Sequence, residues 1–336
     1  MALPRLGPVT LADRFLAYSV QAAAEGSPGW AELAAGLAAD EAALAVVGRA
    51  PESRRQPVLV LATCQWLGAP PGPWPRLRSW LLDHADAVVA ELGRRSVQTN
   101  DVRRSGPVSL ALARLDEPVA LLEVGASAGL CLLPDLVSYR AGDVRWGDPH
   151  SPVQLTLDVT DGRGDAAPGG AGAGLGAVEL PEVVWRAGLD LDPVDVRDDA
   201  AVAWLRELLP PGATERADLL ERAVALARTA PPRVARGDAV DDLEALAATA
   251  PADARLVVVS TGTLVYLPGR RRQQFVDTVR GLGATWVSYE RIGLLDDVGP
   301  VDPGLVERTS AFAVLALDGQ PLAVGDAHGT RLTTVG

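Results

Sequence analysis

Leu121-Leu-Glu-Val-Gly-Ala-Ser-Ala-Gly-Leu130 is the stretch on which the reading of the fold turns. It begins inside VALLEV (119–124), a short β-rich apolar run, continuous on both faces, as a strand in the middle of a parallel sheet must be. The small residues Gly125 to Gly129 then make a tight turn. A helix is expected to follow, so that its N-terminus and the backbone N–H groups of the turn face the crevice at the strand's carboxyl end. Such a turn suits a nucleotide-type cofactor. A dinucleotide fingerprint GxGxxG would need glycines at 125, 127 and 130, but Ser127 and Leu130 hold two of those places, which disfavours NAD.

Further strand candidates lie downstream: EVVWRAGLD (182–190), ARLVVVST (254–261) and ATWVSYE (284–290). Helical candidates around 198–209, 214–229 and 270–281 separate them, giving the alternation of a βαβ sheet. After Arg308 the chain alternates around Asp318-Gly319, a strong hairpin dipeptide, and is expected to end in antiparallel strands on the same sheet. Residues 1–115 read as helices. Thr10 with Asp13 resembles a capping box, Ser27-Pro28 is a start signal, and Pro57 to Trp66 and Pro75 to Leu92 are apolar-periodic. The expected fold is α/β, with a mostly parallel sheet, C-terminal antiparallel strands and an N-terminal all-helical accessory region. The boundary falls at 115/116, and the core carries an insertion at about 139–181. Within that insertion DGRGDAAPGGAGAGLG (161–176) has too few apolar side chains to order itself and reads as a mobile surface loop.

Composition limits the function. The 336 residues are 48% hydrophobic and 22% charged, values of a globular chain able to bury a core. The net charge of −12, with all 31 basic residues arginine, argues against nucleic acid as a partner. Cys64 and Cys131 are far apart, and His84, His150 and His328 have no ligand spacing, so no metal site is expected. The N-terminus has no apolar signal core and no stretch approaches the ~20 apolar residues of a membrane span, which points to a cytoplasmic protein with no membrane partner. A small molecule is the expected substrate. The oligomeric state is not legible.

Glu123, two places before Gly125, and Gly129, four places after it, resemble motif I of class I S-adenosylmethionine-dependent methyltransferases. That resemblance implies a Rossmann-like sheet with S-adenosylmethionine bound by Glu123, Gly125, Ser127 and Gly129. GLDLDP (188–193) ends the second strand, where Asp190, or its neighbour Asp192, can accept both ribose hydroxyls. Asp238, in RGDAVDD (236–242), is the candidate near the adenine amine. Ser260, Thr261 and Tyr266, in VVVSTGTLVYL (257–267), would border the sulfonium and substrate.

The order of these segments, with QTNDV (98–102), GDPHSPV (147–153) and the run from Trp185 to Leu209, also resembles a bacterial family of unknown function with a methyltransferase-like core. Its turn usually reads GASAGLNL and its fourth strand tends to end in histidine; Cys131 and Ser260 stand at those places here. Gln98 and Asn100 could lie over the cofactor's methionine end, although helix capping accounts for them equally. Trp146, Asp148 and His150 would touch substrate if the insertion folds over the crevice, and otherwise are loop structure. The expected reaction is methyl transfer to a small molecule by in-line attack. A base such as Asp101, Glu290 or His150 is needed only when the nucleophile arrives protonated. The alternatives are a non-catalytic cofactor-binding or regulatory protein and another enzyme using the same cofactor.

Overall fold

Thr10 and Asp13 form a reciprocal capping box at the first helix of the computed structural model, which describes residues 10–98, 100–162 and 175–335. Six α-helices follow one another: α1 (Leu11–Ala24), α2 (Pro28–Ala38), α3 (Glu41–Gly48), α4 (Pro57–Trp66), α5 (Trp74–Asp83) and α6 (Ala85–Arg94). Proline in the first turn starts α2, α4 and α5, where its missing N–H would have been unpaired anyway. Their inner faces bury Phe15, Trp30, Leu59, Leu81 and Leu92. Residues up to 99 form a compact unit that also takes in residues 199–218. There Trp204 meets Trp66 edge-on at 6.0 Å, and the Arg95 guanidinium lies over both rings, 4.1 and 4.4 Å from their centres.

The second unit comprises residues 100–198 and 219–336. Along the rest of the chain run α7 (Ser105–Leu112), β1 (Val119–Val124), β2 (Ser138–Ala141), β3 (Val144–Gly147), β4 (Gln154–Thr156), β5 (Asp158–Asp161) and β6 (Val183–Asp190). Next come α8 (Asp199–Glu207), α9 (Thr214–Thr229), β7 (Arg233–Arg236), α10 (Leu243–Ala247), β8 (Arg255–Thr261), α11 (Gly269–Gly281) and β9 (Thr285–Arg291). The last elements are α12 (Pro303–Thr309), β10 (Ala313–Leu317), β11 (Gln320–Gly325) and β12 (Arg331–Thr334).

Among the described residues the large sheet has the order β5-β12-β11-β10-β9-β8-β1-β6-β7. The block from β7 to β9 is parallel, β9 to β12 are antiparallel, and β5 pairs parallel with β12. All six residues of β1 are buried, as expected for a strand covered on both faces. On one face Leu122, Val124, Val258 and Trp286 pack against Leu243 and Leu246 of α10 and Phe275, Val276 and Val279 of α11. The β10–β11 hairpin turns at Asp318 and Gly319, both at positive φ (49° and 77°), the conformation a two-residue turn requires. The protein is thus a mixed α/β fold with a large, mostly parallel sheet.

Two local expectations are corrected. The turn after β1 enters no α-helix; it passes into short 3₁₀ turns at Leu130–Leu132 and Pro134–Leu136. Pro134 removes an N–H and disfavours helical geometry at Leu133, which sits at φ −116°, ψ 40°. The insertion also holds regular structure. β3, β2 and β4 make a separate three-stranded sheet, and β5 joins the large one. The expected mobile loop falls largely on residues 163–174, outside the described residues. Among the described residues no helix is long and apolar enough to cross a membrane.

Candidate functional site

β1 has β8 on one side and β6 on the other, so the strand order reverses there, and a crevice at the carboxyl ends of these strands is where open α/β sheets bind ligands. The turn at this point winds through left-handed backbone at Gly125 (φ 70°), Ser127 (φ 52°) and Gly129 (φ 69°). Each of its N–H groups is engaged within the protein. Gly125 and Ala126 donate to the Leu189 carbonyl (2.8 and 3.1 Å) and Gly129 to the Ala126 carbonyl (2.6 Å). Ser127 donates to Asp190 Oδ2 (2.8 Å) and Ala128 to Asn100 Oδ1 (2.9 Å), while Asn100 Nδ2 donates to Ser127 Oγ (2.8 Å). The close approach that Gly125 permits is to Thr263 of the same chain, whose side chain a Cβ at 125 would overlap. The turn is therefore a clasp with each of its N–H groups taken, and any ligand there would have to be met by side chains.

Asp190, at the end of β6, is half-buried, and its carboxylate accepts the N–H groups of Ser127 (2.8 Å) and Asp192 (2.8 Å). A carboxylate offers about four acceptor sites, so about two remain. Asp192, its side chain 50% exposed, pairs with Arg236 (3.1 Å). Asp238 pairs with Arg271 (2.6 Å) and accepts the N–H of Val240 (2.7 Å), so it holds the loop after β7 together. Leu191, between the two aspartates, is 67% exposed, an uncovered apolar surface next to Asp190.

Deeper lie two buried glutamates. Glu123 on β1 and Glu290 on β9 each leave Oε2 without a partner, and Arg104, ahead of α7, leaves its Nε so. Burial, reinforced by the Asp190 charge, pushes the Glu123 carboxyl up to about 8, while Arg104 opposes it. Burial pushes Glu290 up to about 7 against the N–H groups of Leu264 and Thr263, which donate to its Oε1 (3.2 and 3.1 Å). Arg104 Nη1 donates to the Thr261 carbonyl (2.8 Å), and Ser260 Oγ accepts the Trp286 indole N–H (3.3 Å). Both side chains at 260 and 261 are buried at the end of β8. Burial raises the Cys131 thiol well above its ordinary range, so it is no ready nucleophile.

Asp101 carries a second cluster. Its carboxylate meets His328 Nδ1 at 2.7 Å and the Arg103 guanidinium at 2.7 and 2.6 Å. Burial works to raise this carboxyl, but His328 and Arg103 together hold it far below the usual carboxylate range.

The structure thus joins Asn100, Asp101, Glu123, Gly125, Ser127, Gly129, Asp190, Ser260, Thr261 and Glu290 around the ends of β1, β6, β8 and β9, with Asp192 beside them. Trp146, Asp148, His150 and Gln98 lie on other elements, and Tyr266 follows β8 at the surface. Trp146 is buried in the small sheet, stacked on Tyr139 at 5.3 Å, and donates to Ser109 Oγ (2.9 Å). Asp148 accepts the backbone N–H of His150 (2.9 Å) in the loop after β3, where His150 is exposed. Tyr266 is 64% exposed in the turn after β8. Gln98, in the helical unit, donates to Ser96 Oγ (3.2 Å). Arg104, Thr263, Arg103 and His328 carry no motif; the fold alone brings the last two onto Asp101. Among the described residues no group of three or more His, Cys, Asp or Glu is placed to hold a metal ion.

The profile of DUF2332, described as an uncharacterized protein conserved in bacteria, matches residues 67–333, and the chain belongs to that family. No curated protein matches the chain.

Proposed function

We propose that this DUF2332 protein binds S-adenosylmethionine at the ends of β1 and β6 and transfers its methyl group to a small molecule. One observation carries the reading. Asp190 ends the strand beside the glycine turn and is held by two backbone N–H groups, with about two acceptor sites left for the two hydroxyls of a ribose. The parallel block, taken in chain order as strands 3-2-1-4-5, is the order of doubly wound nucleotide-binding sheets, which supports the same placement.

The residues present fit the ligand by their chemistry. Asp190 would hold the ribose, and exposed Leu191 would give a flat base an apolar surface. The unpartnered oxygens of Glu123 and Glu290 suit cationic groups, and the unpartnered Arg104 Nε suits a carboxylate. Bound there, the cofactor would supply a methyl group already activated on sulfur. The chain's contribution is then mainly orientation and exclusion of water: Asn100 and Asp190 lock the turn, and Glu123 and Glu290, which a cationic ligand would draw into their ionised form, would set negative charge against it in a dry site.

Calorimetric titration of the full chain with S-adenosylmethionine and S-adenosylhomocysteine, with mass spectrometry of the gently purified protein, tests the reading. Saturable heat, with either compound retained, is the expected result. Absence of heat at millimolar ligand, with nothing retained, would remove the proposal.

A further inference from the structure

We propose that His328 is the general base that takes the proton from the methyl acceptor, with Asp101 and Arg103 as its positioning residues, and that the acceptor is a neutral hydroxyl compound. This rests on the cofactor reading above.

The geometry of the group points to proton transfer. Asp101 is almost fully buried, its side chain 10% exposed, and its carboxylate is gripped by Nε and Nη2 of Arg103. A carboxylate fixed in this way on Nδ1 (2.7 Å) draws the proton of a neutral imidazole to that nitrogen and leaves the Nε2 lone pair as acceptor. The loop bearing the ring is also fixed. Asp326 accepts the N–H groups of His328 (3.1 Å), Gly329 (2.6 Å) and Thr330 (3.0 Å), and the Asp326 carbonyl accepts the Tyr289 hydroxyl (2.5 Å). The charged groups around the ring are therefore Asp101, Arg103 and Asp326, with Arg331 3.7 Å from Asp326. Contacts tie this group to the turn after β1: Asn100, the neighbour of Asp101, clasps Ser127 and Ala128, and the Asp101 carbonyl accepts Cys131 Sγ at 3.5 Å.

An oriented imidazole is superfluous for an acceptor that is already an anion, and the ionised Asp101 would repel one. It suits a neutral O–H. In the step, an oxygen lone pair forms the O–CH₃ bond, the electron pair of the S–CH₃ bond leaves on sulfur, and the hydroxyl proton passes to His328 Nε2. The resulting imidazolium is stabilised by Asp101 through Nδ1–H.

Only three histidines are present, which makes the ring directly observable. Long-range ¹H–¹⁵N correlation of the labelled full chain at pH 8, assigned with His328→Gln, reads the tautomer without any ligand. The expected spectrum shows the His328 proton on Nδ1, and Asp101→Asn moves it to Nε2. A wild-type ring protonated on Nε2 overturns the proposal, whether or not the Asn variant folds. In a second arm, diethyl pyrocarbonate labelling is mapped by peptide mass with S-adenosylhomocysteine at ten times its calorimetric Kd. His328 labelling should slow about tenfold, in proportion to the sites left empty, with His84 and His150 unchanged. Heat without protection of His328 overturns the base alone. No heat overturns the cofactor reading and the base role with it, while the tautomer is still read independently.

Discussion

Replacing Asn100 by alanine removes both bonds that clasp the turn, Nδ2 to Ser127 Oγ (2.8 Å) and Ala128 N–H to Oδ1 (2.9 Å). Ala128 is 1% and Ser127 2% exposed, so water cannot replace the lost partner without opening the turn. An unsatisfied buried N–H costs about 1–3 kcal/mol and the neutral Ser127 bond about 1 kcal/mol, so Asn100→Ala should lose about 2–4 kcal/mol. At roughly 2–4 °C per kcal/mol for a unit of this size, Tm should fall by roughly 4–16 °C. Asn100→Asp can still accept from Ala128 N–H and from the Ser127 hydroxyl, but adds a negative charge near Asp190 and Glu123, and should lose less. Ser127→Gly removes a bond while relieving a side chain held at φ 52°, two effects of opposite sign and about 1 kcal/mol each, and should be nearly neutral. Thermal and urea denaturation of the full chain, with hydrogen exchange at Ala128, measures all three. A loss below about 0.5 kcal/mol for Asn100→Ala, the ordinary scatter of surface substitutions, would refute the clasp.

Glu123 and Glu290 are raised from the ordinary 4.5 to about 8 and about 7, so the native state retains protons that the unfolded chain releases. Their joint contribution to stability is therefore present below about pH 4.5 and lost as pH rises to about 8; Glu123→Gln and Glu290→Gln should each flatten the decline, read by denaturation at stepped pH. Gly125→Ala forces a side chain into left-handed backbone and onto Thr263, and should lose about 2–5 kcal/mol, from about 1–2 of backbone strain and about 1–3 of overpacking. Adding Thr263→Ala should recover the overpacking share in a double-mutant cycle; strictly additive losses would separate the two residues.

Within the parallel block β1 and β8 were legible because they are buried on both faces over most of their length and read as apolar runs, VALLEV and RLVVVS, whereas β7 (RVAR) lies mostly at the surface and carries no such run. Asp318-Gly319 announced its hairpin through the left-handed backbone such a turn demands. The small sheet was not legible. Its strands, SYRA, VRWG and QLT, are too short to carry a period, and Trp146 gains its place only by pairing with Tyr139 and reaching Ser109. The helix expected after the turn failed because Pro134 follows Leu130 too closely for a helical turn to propagate. At the candidate site, Glu123, Gly125 and Gly129 were singled out by the resemblance of their spacing to motif I of class I methyltransferases, and Asp190 by its place at a strand end. Arg104 looked like one of many arginines, and His328 lies 227 residues from the aspartate that orients it, a pairing only the folded sheet brings about.

The proposed site turns on Asp190 receiving the ribose. Asp190→Ala and Asp192→Ala should each be titrated calorimetrically with S-adenosylmethionine and with adenosine, at a temperature where both variants are folded. Loss of hydrogen bonds to a charged acceptor is worth about 1.5–3 kcal/mol, so Asp190→Ala should weaken both ligands by roughly 10- to 150-fold, and Asp192→Ala, whose carboxylate pairs with Arg236, by much less. Equal, small losses in the two variants would contradict the account, and a large loss confined to Asp192→Ala would move the ribose two residues along the chain.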